Sequence, residues 1–419
     1  MPTEFITQTE SADGIGYEIR YHSGQSRALE SKARFPFIIA GTQSGKTCFG
    51  PWWLNREIET CGPGDYLAVT ATYDLFKLKM LPELKAVFGR YIPGWEYKAS
   101  DRIMWKSNPG TDKITRIILR SADAEGGLES ASAKGAWLDE CGQDKFKLGA
   151  WEAVQRRLSL YGGRALGTTT PYNLGWLKTE VFDRWAAGDT DFGIINFKSI
   201  MNPIFPRAEY DRMKRILPAW KFHMFYDGTF ERPAGLIYSD YDESMQKIKP
   251  FDIPVEWPRY VGIDFGAVNT AVLWIAEDPN THCYYIYRCM MMGGKTTKEK
   301  AIMALAYKHE NTVRWIGGAK SETQERMDWN AEGVPVQESP IVSVEAGIDR
   351  VIELFKTRRL FVFNTCKGLL DELGTYSRVL NEYGQPTEKI KDKADYHRLD
   401  ALRYNISGIG FSLYGGINV

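Results

Sequence analysis

Residues 37–47 read Phe37-Ile38-Ile39-Ala40-Gly41-Thr42-Gln43-Ser44-Gly45-Lys46-Thr47. The apolar start is suited to a buried strand, the glycine-bearing middle to a loop, and residues 48–60 to a helix. This is the layout of a phosphate-binding loop, in which backbone N–H groups at the helix start surround the β- and γ-phosphates. Lys46 supplies a point charge and the Thr47 hydroxyl reaches Mg²⁺. We expect residues 41–47 to bind a nucleotide.

Two features near this loop refine the expectation. Ala40 stands where the usual pattern has its first glycine, so Gly41 is expected to take over the turn. Upstream, Gln25 carries an amide that donates and accepts together, as the N6 and N7 atoms of adenine require. We expect Gln25 to read the adenine edge, with an ordinary solvated loop glutamine as the alternative.

Composition excludes several classes of protein. The 419 residues are enough for two domains, and 43% apolar with 13% aromatic content supports hydrophobic cores. The 53 basic and 53 acidic residues cancel, so nucleic acid can be bound only through local patches. The six cysteines form no CxxC pair, and no apolar run approaches the ~20 residues of a membrane span. We expect a soluble intracellular protein with reduced thiols and no membrane contact.

Short apolar runs separated by helical stretches follow the loop and predict a mostly parallel sheet covered on both faces. These runs are 66–70, 116–119, 136–138 and 165–167, with a helix predicted at 75–88. The run at 136–138 ends in Asp139-Glu140. After a phosphate-binding loop, Asp139 is expected to hold Mg²⁺ through its water shell, and Glu140 to orient and deprotonate the attacking water.

Further residues would assist hydrolysis. The hydroxyls of Thr168-Thr169-Thr170, at a strand end, are suited to sensing the γ-phosphate, with Thr169 as the nucleotide contact; a plain β-edge threonine run is the alternative. Hydrolysis also needs a cation against the transferring phosphoryl group. The candidates are Arg120, Arg156 and Arg157.

Proline and glycine punctuate 229–258, which we interpret as a linker. The segment after it opens with Asp264 in an apolar strand, followed by two more strands, a helix, a strand and another helix. This order matches an RNase H-like domain. A carboxylate buried in such a strand is costly unless a metal ion or another partner compensates.

Two other carboxylates are expected to converge on Asp264. Glu322 lies where a strand stops and a helix starts, and Asp400 shares one face of a late helix with His397 and Tyr404. Such oxygen-rich clusters suit a pair of Mg²⁺ or Mn²⁺ ions that cleave phosphodiesters. The alternatives are a helix-dipole charge for Glu322 and an arginine salt bridge for Asp400.

The order of these motifs resembles that of the large terminase subunits of tailed bacteriophages, in which a DNA-packaging ATPase is fused to an RNase H-like nuclease. The resemblance runs from Gln25 to Tyr404. Residues 41–47 resemble the family's Walker A loop, 137–140 its Walker B motif, 168–170 its coupling motif, and Asp264, Glu322 and 397–404 its nuclease motifs. The fold implied is a P-loop ATPase of the ASCE type over 1–228 (with a lead-in at 1–24), the linker at 229–258, and an RNase H-like α/β nuclease over 259–419.

By this resemblance the chain would bind ATP and Mg²⁺, with Mn²⁺ as an alternative at the nuclease site. It would be recruited by a small terminase subunit, cut concatemeric double-stranded DNA, dock on the capsid portal protein as a homo-oligomeric ring, and pump DNA. It would act in the host cytoplasm and be absent from the mature virion.

The sequence departs from the family at three places. Thr42 and Glu129 stand where many members carry arginine, which leaves the arginine finger open, and Gly317-Gly318 stands where a second nuclease aspartate is common, which makes Glu322 its substitute. A different class of function is also open: a cellular ATP-dependent helicase or repair ATPase whose RNase H-like domain is catalytically silent. A non-enzymatic scaffold would leave Lys46, Asp139 and Glu140 unexplained.

Overall fold

The computed structural model of the chain describes residues 6–11, 14–123, 132–266, 268–382 and 384–409. Glu129 lies outside them. The chain divides into two compact units, Met1–Pro233 (unit 1) and Ala234–Val419 (unit 2). No helix in these ranges is both long enough and apolar enough to cross a membrane.

The strands of unit 1 are β1 (Ile6–Ser11), β2 (Gly14–Ile19), β3 (Phe35–Ala40), β4 (Asp65–Thr70), β5 (Glu96–Lys98), β6 (Ile103–Ser107), β7 (Ile114–Ser121), β8 (Gly135–Asp139), β9 (Arg164–Thr169) and β10 (Phe192–Phe197). Its α-helices are α1 (Ser23–Glu30), α2 (Lys46–Cys61), α3 (Tyr73–Leu75), α4 (Leu81–Lys85), α5 (Leu148–Leu158), α6 (Asp183–Ala186), α7 (Arg207–Ile216) and α8 (Ala219–Phe222). π-Helical turns cover Phe76–Met80, Ala86–Tyr91, Leu177–Phe182 and His223–Asp227, and 3₁₀ turns cover Ser159–Tyr161 and Ser199–Met201.

Unit 1 is built on an eight-stranded sheet in the order β10-β3-β9-β8-β4-β7-β6-β5. The six strands from β10 to β7 are parallel, and β6 and β5 add antiparallel strands at one end. Because β9 lies between β3 and β8, the loop after β3 and the carboxylates after β8 meet at the carboxyl edge of the sheet. Gly50 lets α2 pack directly on β8, since a Cβ there would lie 2.0 Å from the Trp137 ring.

The strands of unit 2 are β11 (Lys247–Ile248), β12 (Arg259–Asp264), β13 (Asn269–Glu277), β14 (Tyr284–Gly293), β15 (Thr312–Gly317), β16 (Val336–Gln337), β17 (Leu360–Phe363), β18 (Arg378–Leu380) and β19 (Pro386–Ile390). Its α-helices are α9 (Glu243–Gln246), α10 (Thr297–Leu305), α11 (Thr323–Ala331), α12 (Val344–Lys356), α13 (Lys367–Thr375) and α14 (His397–Ile409), with a 3₁₀ turn at Lys393–Asp395.

Unit 2 is built on a seven-stranded mixed sheet in the order β11-β17-β14-β13-β12-β15-β16. β14, β13 and β12 are antiparallel neighbours, and β15 and β16 continue parallel to β12. This is the predicted RNase H-like order. The predicted fold class, a mostly parallel α/β unit followed by an RNase H-like α/β unit, is confirmed.

Helix α14 lies tightly on β12, an interior strand of the unit 2 sheet. A Cβ on Gly262 would lie 2.2 Å from the Ala401 carbonyl oxygen, so only glycine permits this approach. The buried Asn405 amide bonds the carbonyls of Tyr260 (3.0 Å) and Leu273 (3.2 Å), which fixes the helix on β12 and β13. The start of α14 is thereby held beside Asp264 at the end of β12.

The segment predicted as a linker belongs largely to unit 2. The structure divides the chain after Pro233, and Ile237 and Tyr238 are buried in the core of unit 2. β11 pairs with β17 as an edge strand of the sheet. The proline and glycine residues of 229–258 thus lie in irregular but packed chain. Their spacing does not reveal the buried Ile237 and Tyr238 between them.

Candidate functional site

The loop between β3 and α2 has the strained backbone that an anion-binding loop requires. Gln43 and Gly45 have φ of 54° and 85°, and Gly45 caps α2. Gly41, expected to make the turn, is needed for another reason: a Cβ there would lie 2.3 Å from the Tyr226 carbonyl oxygen. The Ser199 hydroxyl also bonds the Thr42 carbonyl at 2.6 Å.

Lys46 and Thr47 open α2 at this loop, facing Asp139. Lys46 is 4% exposed and its Nζ lies 3.4 Å from the Gly41 carbonyl. Burial lowers the pKa of Lys46, while Glu140 and Asp139 act in the opposite direction. Asp139 Oδ1 accepts hydrogen bonds from Thr47 (3.1 Å) and Thr168 (2.7 Å).

The second oxygen of Asp139 fits a hard cation. Asp139 is fully buried and its Oδ2 has no hydrogen-bond partner. Burial, and after it the charge of Glu140, raises the pKa of Asp139 to about 7. The hydrogen bonds from Thr168 and Thr47 and the charge of Lys46 act in the opposite direction. A buried carboxylate oxygen without a donor is costly, and a nearby hydroxyl and carboxylate are the oxygen ligands that Mg²⁺ takes. The chemistry of Thr47 and Asp139 therefore fits Mg²⁺, which these two residues would hold.

Glu140 is held in a strained conformation beside this pair. Its φ is 53°, unusual for a residue other than glycine and costing of order 1–3 kcal/mol. Its Oε1 lies 3.3 Å from Lys79 Nζ, and its Oε2 accepts from the Tyr172 hydroxyl at 2.8 Å. Burial would raise the pKa of Glu140, but Lys46, Lys79 and Tyr172 outweigh it and lower that pKa.

The loop, Lys46, Thr47 and Glu140 border one cavity of about 470 Å³. It is lined by the predicted Thr42, Gln43, Ser44, Gly45, Lys46, Thr47 and Glu140, together with Cys48, Leu78, Lys79, Pro82, Glu83 and Asn202. The Ser44 hydroxyl is buried without a hydrogen-bond partner. The loop, a lysine, an unpartnered hydroxyl and a poised glutamate thus surround one space suited to a polyphosphate.

Gln25 has a different environment from the one expected. It is 2% exposed, its Nε2 donates to the Gly45 carbonyl at 2.9 Å, and its Oε1 accepts from His22 N at 3.2 Å. In the structure its amide braces the loop, and His22 Nε2 adds a contact to the Ser44 carbonyl at 3.0 Å. Reading adenine stays a prediction and requires the amide to release one of these partners.

Thr169 is also engaged elsewhere. Its hydroxyl accepts from Gly142 N and donates to the Thr170 carbonyl, both at 2.9 Å. The neighbouring Thr168 is the threonine that contacts Asp139. The nucleotide contact of Thr169 stays a prediction. The sequence analysis treated the threonine run as a whole and did not distinguish Thr168 as the residue that contacts Asp139.

The sequence also missed Lys79, Tyr172, Ser199 and Asn202. Asn202 donates to the Gln43 carbonyl at 2.7 Å, which ties the segment after β10 to the loop. Tyr172 follows the threonine run by one proline, a proximity that could have drawn attention to it. Lys79 lies among other lysines of a helical segment, and no local pattern distinguishes it.

The three candidate arginines do not line the cavity. Arg156 and Arg157 end α5 where the chain turns toward β9, and the Arg157 carbonyl bonds Ala133 N just before β8. They lie at the amino edge of the sheet, opposite the loop, and cannot reach a nucleotide there. Arg120, on β7, bonds the carbonyls of Leu119 (2.8 Å) and Asp101 (3.5 Å).

In unit 2, Asp264 ends β12 and is 8% exposed. Its Oδ2 lies 2.8 Å from His397 Nδ1. Burial raises the pKa of Asp264, the His397 hydrogen bond opposes this, and the charge of Asp400 adds to the rise. The hydrogen bond to Asp264 raises the pKa of His397.

Glu322 and Asp400 have partners of their own. Glu322 Oε2 accepts from Ala319 N at 2.5 Å, and burial together with the charge of Asp264 raises the pKa of Glu322. Asp400 pairs with Lys393 and, at 3.1 Å, with Arg403. A neighbouring carboxylate of the predicted set thus contributes to the raised pKa of both Asp264 and Glu322.

The predicted three-carboxylate metal group is not assembled in the structure. Within the described ranges, no three acidic, histidine or cysteine side chains lie close enough together to hold a metal ion. The physical reason is that each carboxylate faces its own donor: His397, the Ala319 amide, or Lys393 with Arg403. Metal binding by Asp264, Glu322 and Asp400 stays a prediction that requires these partners to give way.

Comparisons with known proteins complete the description. No family model and no curated protein matches the chain. Among solved structures, the chain is similar to the large terminase of a thermophilic bacteriophage in complex with ADP, with 17% identity, 94% of this chain and 100% of that chain covered, and a TM-score of 0.46.

Two other solved structures are also similar. The HK97 bacteriophage large terminase has 12% identity over 93% of this chain and 95% of that chain, with a TM-score of 0.49. The P22 large terminase nuclease domain has 22% identity over 43% of this chain and 95% of that chain, with a TM-score of 0.36. At these values the likeness assigns no role to individual residues, and the side chains of this chain decide what its two sites can do.

Proposed function

We propose that the chain is the ATP-hydrolysing and DNA-cutting subunit of a viral DNA-packaging motor. Unit 1 hydrolyses ATP to translocate double-stranded DNA into a procapsid, and unit 2 cuts concatemeric DNA as a metal-dependent endodeoxyribonuclease. The small terminase subunit, the portal protein and a homo-oligomeric ring on the portal are the partners this function requires. Its place is the host cytoplasm, transiently at the procapsid.

The observation that carries the ATPase proposal is the contact between Thr47 and Asp139. A buried aspartate with one oxygen bonded to this threonine and the other unpartnered, beside a buried lysine, suits a magnesium–polyphosphate complex. Bound there, Mg²⁺ would neutralise charge that develops on the phosphates. Lys46 would hold the phosphate oxygens, and Glu140 would orient a water and take its proton.

The nuclease proposal is supported by Asp264 and its strand order. Asp264 ends β12, an interior strand of an RNase H-like sheet. Beyond the effect of burial, the charge of Asp400 raises the pKa of Asp264, and the charge of Asp264 raises the pKa of Glu322. Carboxylates in such a place suit Mg²⁺ or Mn²⁺, which would activate a water and stabilise the leaving oxygen. His397 and Lys393 would then have to release the carboxylates they contact.

The sheet of unit 2 weighs against the helicase alternative. A helicase needs a second parallel nucleotide-binding sheet, whereas the centre of the described sheet of unit 2 is antiparallel.

Phosphate release from Mg²⁺-ATP tests the ATPase proposal. Wild type should hydrolyse ATP, Lys46→Ala should neither bind nor hydrolyse it, and Glu140→Gln should bind ATP but hydrolyse it at least about 100-fold more slowly. Equal rates for wild type and Glu140→Gln would contradict the role of Glu140, and equal rates for wild type and Lys46→Ala would contradict the site itself.

A further inference from the structure

Lys79 is a second lysine at the nucleotide cavity. The π-helical turn Phe76–Met80 carries it to the same space that Lys46, Thr47 and Glu140 line. Lys79 Nζ lies 3.3 Å from Glu140 Oε1, and the Lys79 side chain is 49% exposed against 5% for Glu140. The ammonium group therefore enters from the solvent side, on a long side chain that is free to reorient around a fixed carboxylate.

The charge of Lys79 also reaches the phosphate-binding lysine. Burial is the main cause that lowers the pKa of Lys46, and repulsion by Lys79 adds to it. Two ammonium groups thus face one cavity, one buried and one movable. An added polyanion would relieve their repulsion, which favours bringing Lys79 toward the phosphates.

The described lining of the cavity offers few cations. Of the described residues around it, only Lys46 and Lys79 carry a positive charge. Thr42 brings no charge to the loop, and its amide donates to the Phe225 carbonyl at 2.6 Å. Phosphoryl transfer needs positive charge on the oxygens of the transferring group, and within this lining Lys79 is the movable cation that can supply it.

We propose that Lys79 is a catalytic residue of ATP hydrolysis that moves from Glu140 to the oxygens of the γ-phosphoryl group. The inference rests on the ATPase function proposed above. In the step it assists, a water oxygen bonds to the γ-phosphorus. The bond from that phosphorus to the bridging oxygen breaks with its electron pair left on ADP, and one water proton passes to Glu140. The departure of Lys79 also leaves Oε1 of Glu140 open to accept this proton.

Steady-state kinetics of three variants test the inference, with kcat and KM for Mg²⁺-ATP measured separately. Lys79→Ala should lower kcat about 100-fold or more with KM changed less than about threefold, because the charge acts mainly in the transition state. Lys79→Arg should recover most of the lost rate. Lys77→Ala is the matched control, since Lys77 lies on the same turn but over the Tyr73 ring at 4.7 Å, and it should behave as wild type.

Trapping of ADP with Mg²⁺ and aluminium fluoride, a transition-state mimic, gives an independent readout. Lys79→Ala should bind ADP as wild type does but fail to retain the aluminium fluoride complex. A kcat of Lys79→Ala equal to or above wild type would overturn the inference and make Lys79 a restraint on Glu140. A raised KM at unchanged kcat, or a loss of ADP binding, would also overturn the inference. A wild type that releases no phosphate would contradict the ATPase proposal and Lys79 with it, whereas an active wild type matched by Lys79→Ala contradicts Lys79 alone.

Discussion

Asp139→Asn should change the stability of unit 1 relative to wild type more favourably at high pH than at low pH. The same substitution should abolish ATP hydrolysis. The pKa of Asp139 is raised from 3.8 to about 7 by burial and by Glu140. A raised carboxyl pKa favours folding below the unfolded value, and this contribution is lost as pH rises through the folded value. Above pH 7 the folded protein must keep a buried negative charge whose Oδ2 has no donor. Asparagine carries no charge at any pH in this range.

The magnitude follows from that shift. A rise of about three pKa units destabilises the wild-type fold by about 4 kcal/mol at pH 8 but by only about 1 kcal/mol at pH 4.5. The effect of the substitution on the free energy of unfolding should therefore change by about 3 kcal/mol between these pH values. An unpaired asparagine N–H₂ costs a roughly constant 1–3 kcal/mol at every pH and does not alter this difference.

Hydrogen exchange of the β8 amides, measured at increasing urea concentration, gives the free energy of unfolding across this pH range. Asp112→Asn, at an exposed bend, is the control for the chemical change itself. A pH-independent effect of Asp139→Asn, or one that becomes more destabilising as pH rises, would refute the reasoning.

Three further predictions concern neighbours of the two sites. Gly41→Ala should weaken binding of a fluorescent ATP analogue at least about tenfold, because its Cβ would meet the Tyr226 carbonyl at 2.3 Å; unchanged affinity would contradict this. Tyr172→Phe removes a hydrogen bond that helps lower the pKa of Glu140. The acid limb of the pH profile of kcat/KM for ATP should therefore move to higher pH, and a limb that stays in place would count against Glu140 as the base. Arg326→Lys should slow metal-dependent plasmid cleavage about tenfold, because a lysine cannot hold the carbonyls of Gly317, Ala319 and Lys320 that shape the loop before Glu322; wild-type cleavage would separate this loop from the nuclease.

The parts predicted correctly from the sequence depend on local signals. The run 37–47 contains its strand, loop and helix start within one short segment, and alternating apolar runs indicate which strands are buried. The antiparallel strands after Asp264 likewise follow one another along the chain, so their order needs no distant contact. The placement of Lys46 and Thr47 at the start of a helix, and of Asp139 at the end of a buried strand, follows from these signals. The order of the strands in the sheet of unit 1 was not predicted.

The remaining features depend on contacts between distant segments. Lys79 reaches Glu140 and Tyr172 reaches the same carboxylate from the other side, and no periodicity records either contact. Gln25 reads as a solvated loop residue or an adenine contact, yet its amide bonds the loop it was expected to assist. The acids of unit 2 were predicted as a group, whereas the ion pair of Asp400 with Lys393 depends on how the turn before α14 folds.

Cleavage of supercoiled plasmid by wild type, Lys46→Ala and Asp264→Asn, with Mg²⁺ or Mn²⁺ and without ATP, tests the central claim most directly. If the chain carries two chemistries at two sites, wild type and Lys46→Ala cut at similar rates and Asp264→Asn, which keeps the side-chain shape, does not. Cutting by Asp264→Asn at the wild-type rate, or no cutting by any of the three with either metal, would contradict the nuclease assignment of unit 2.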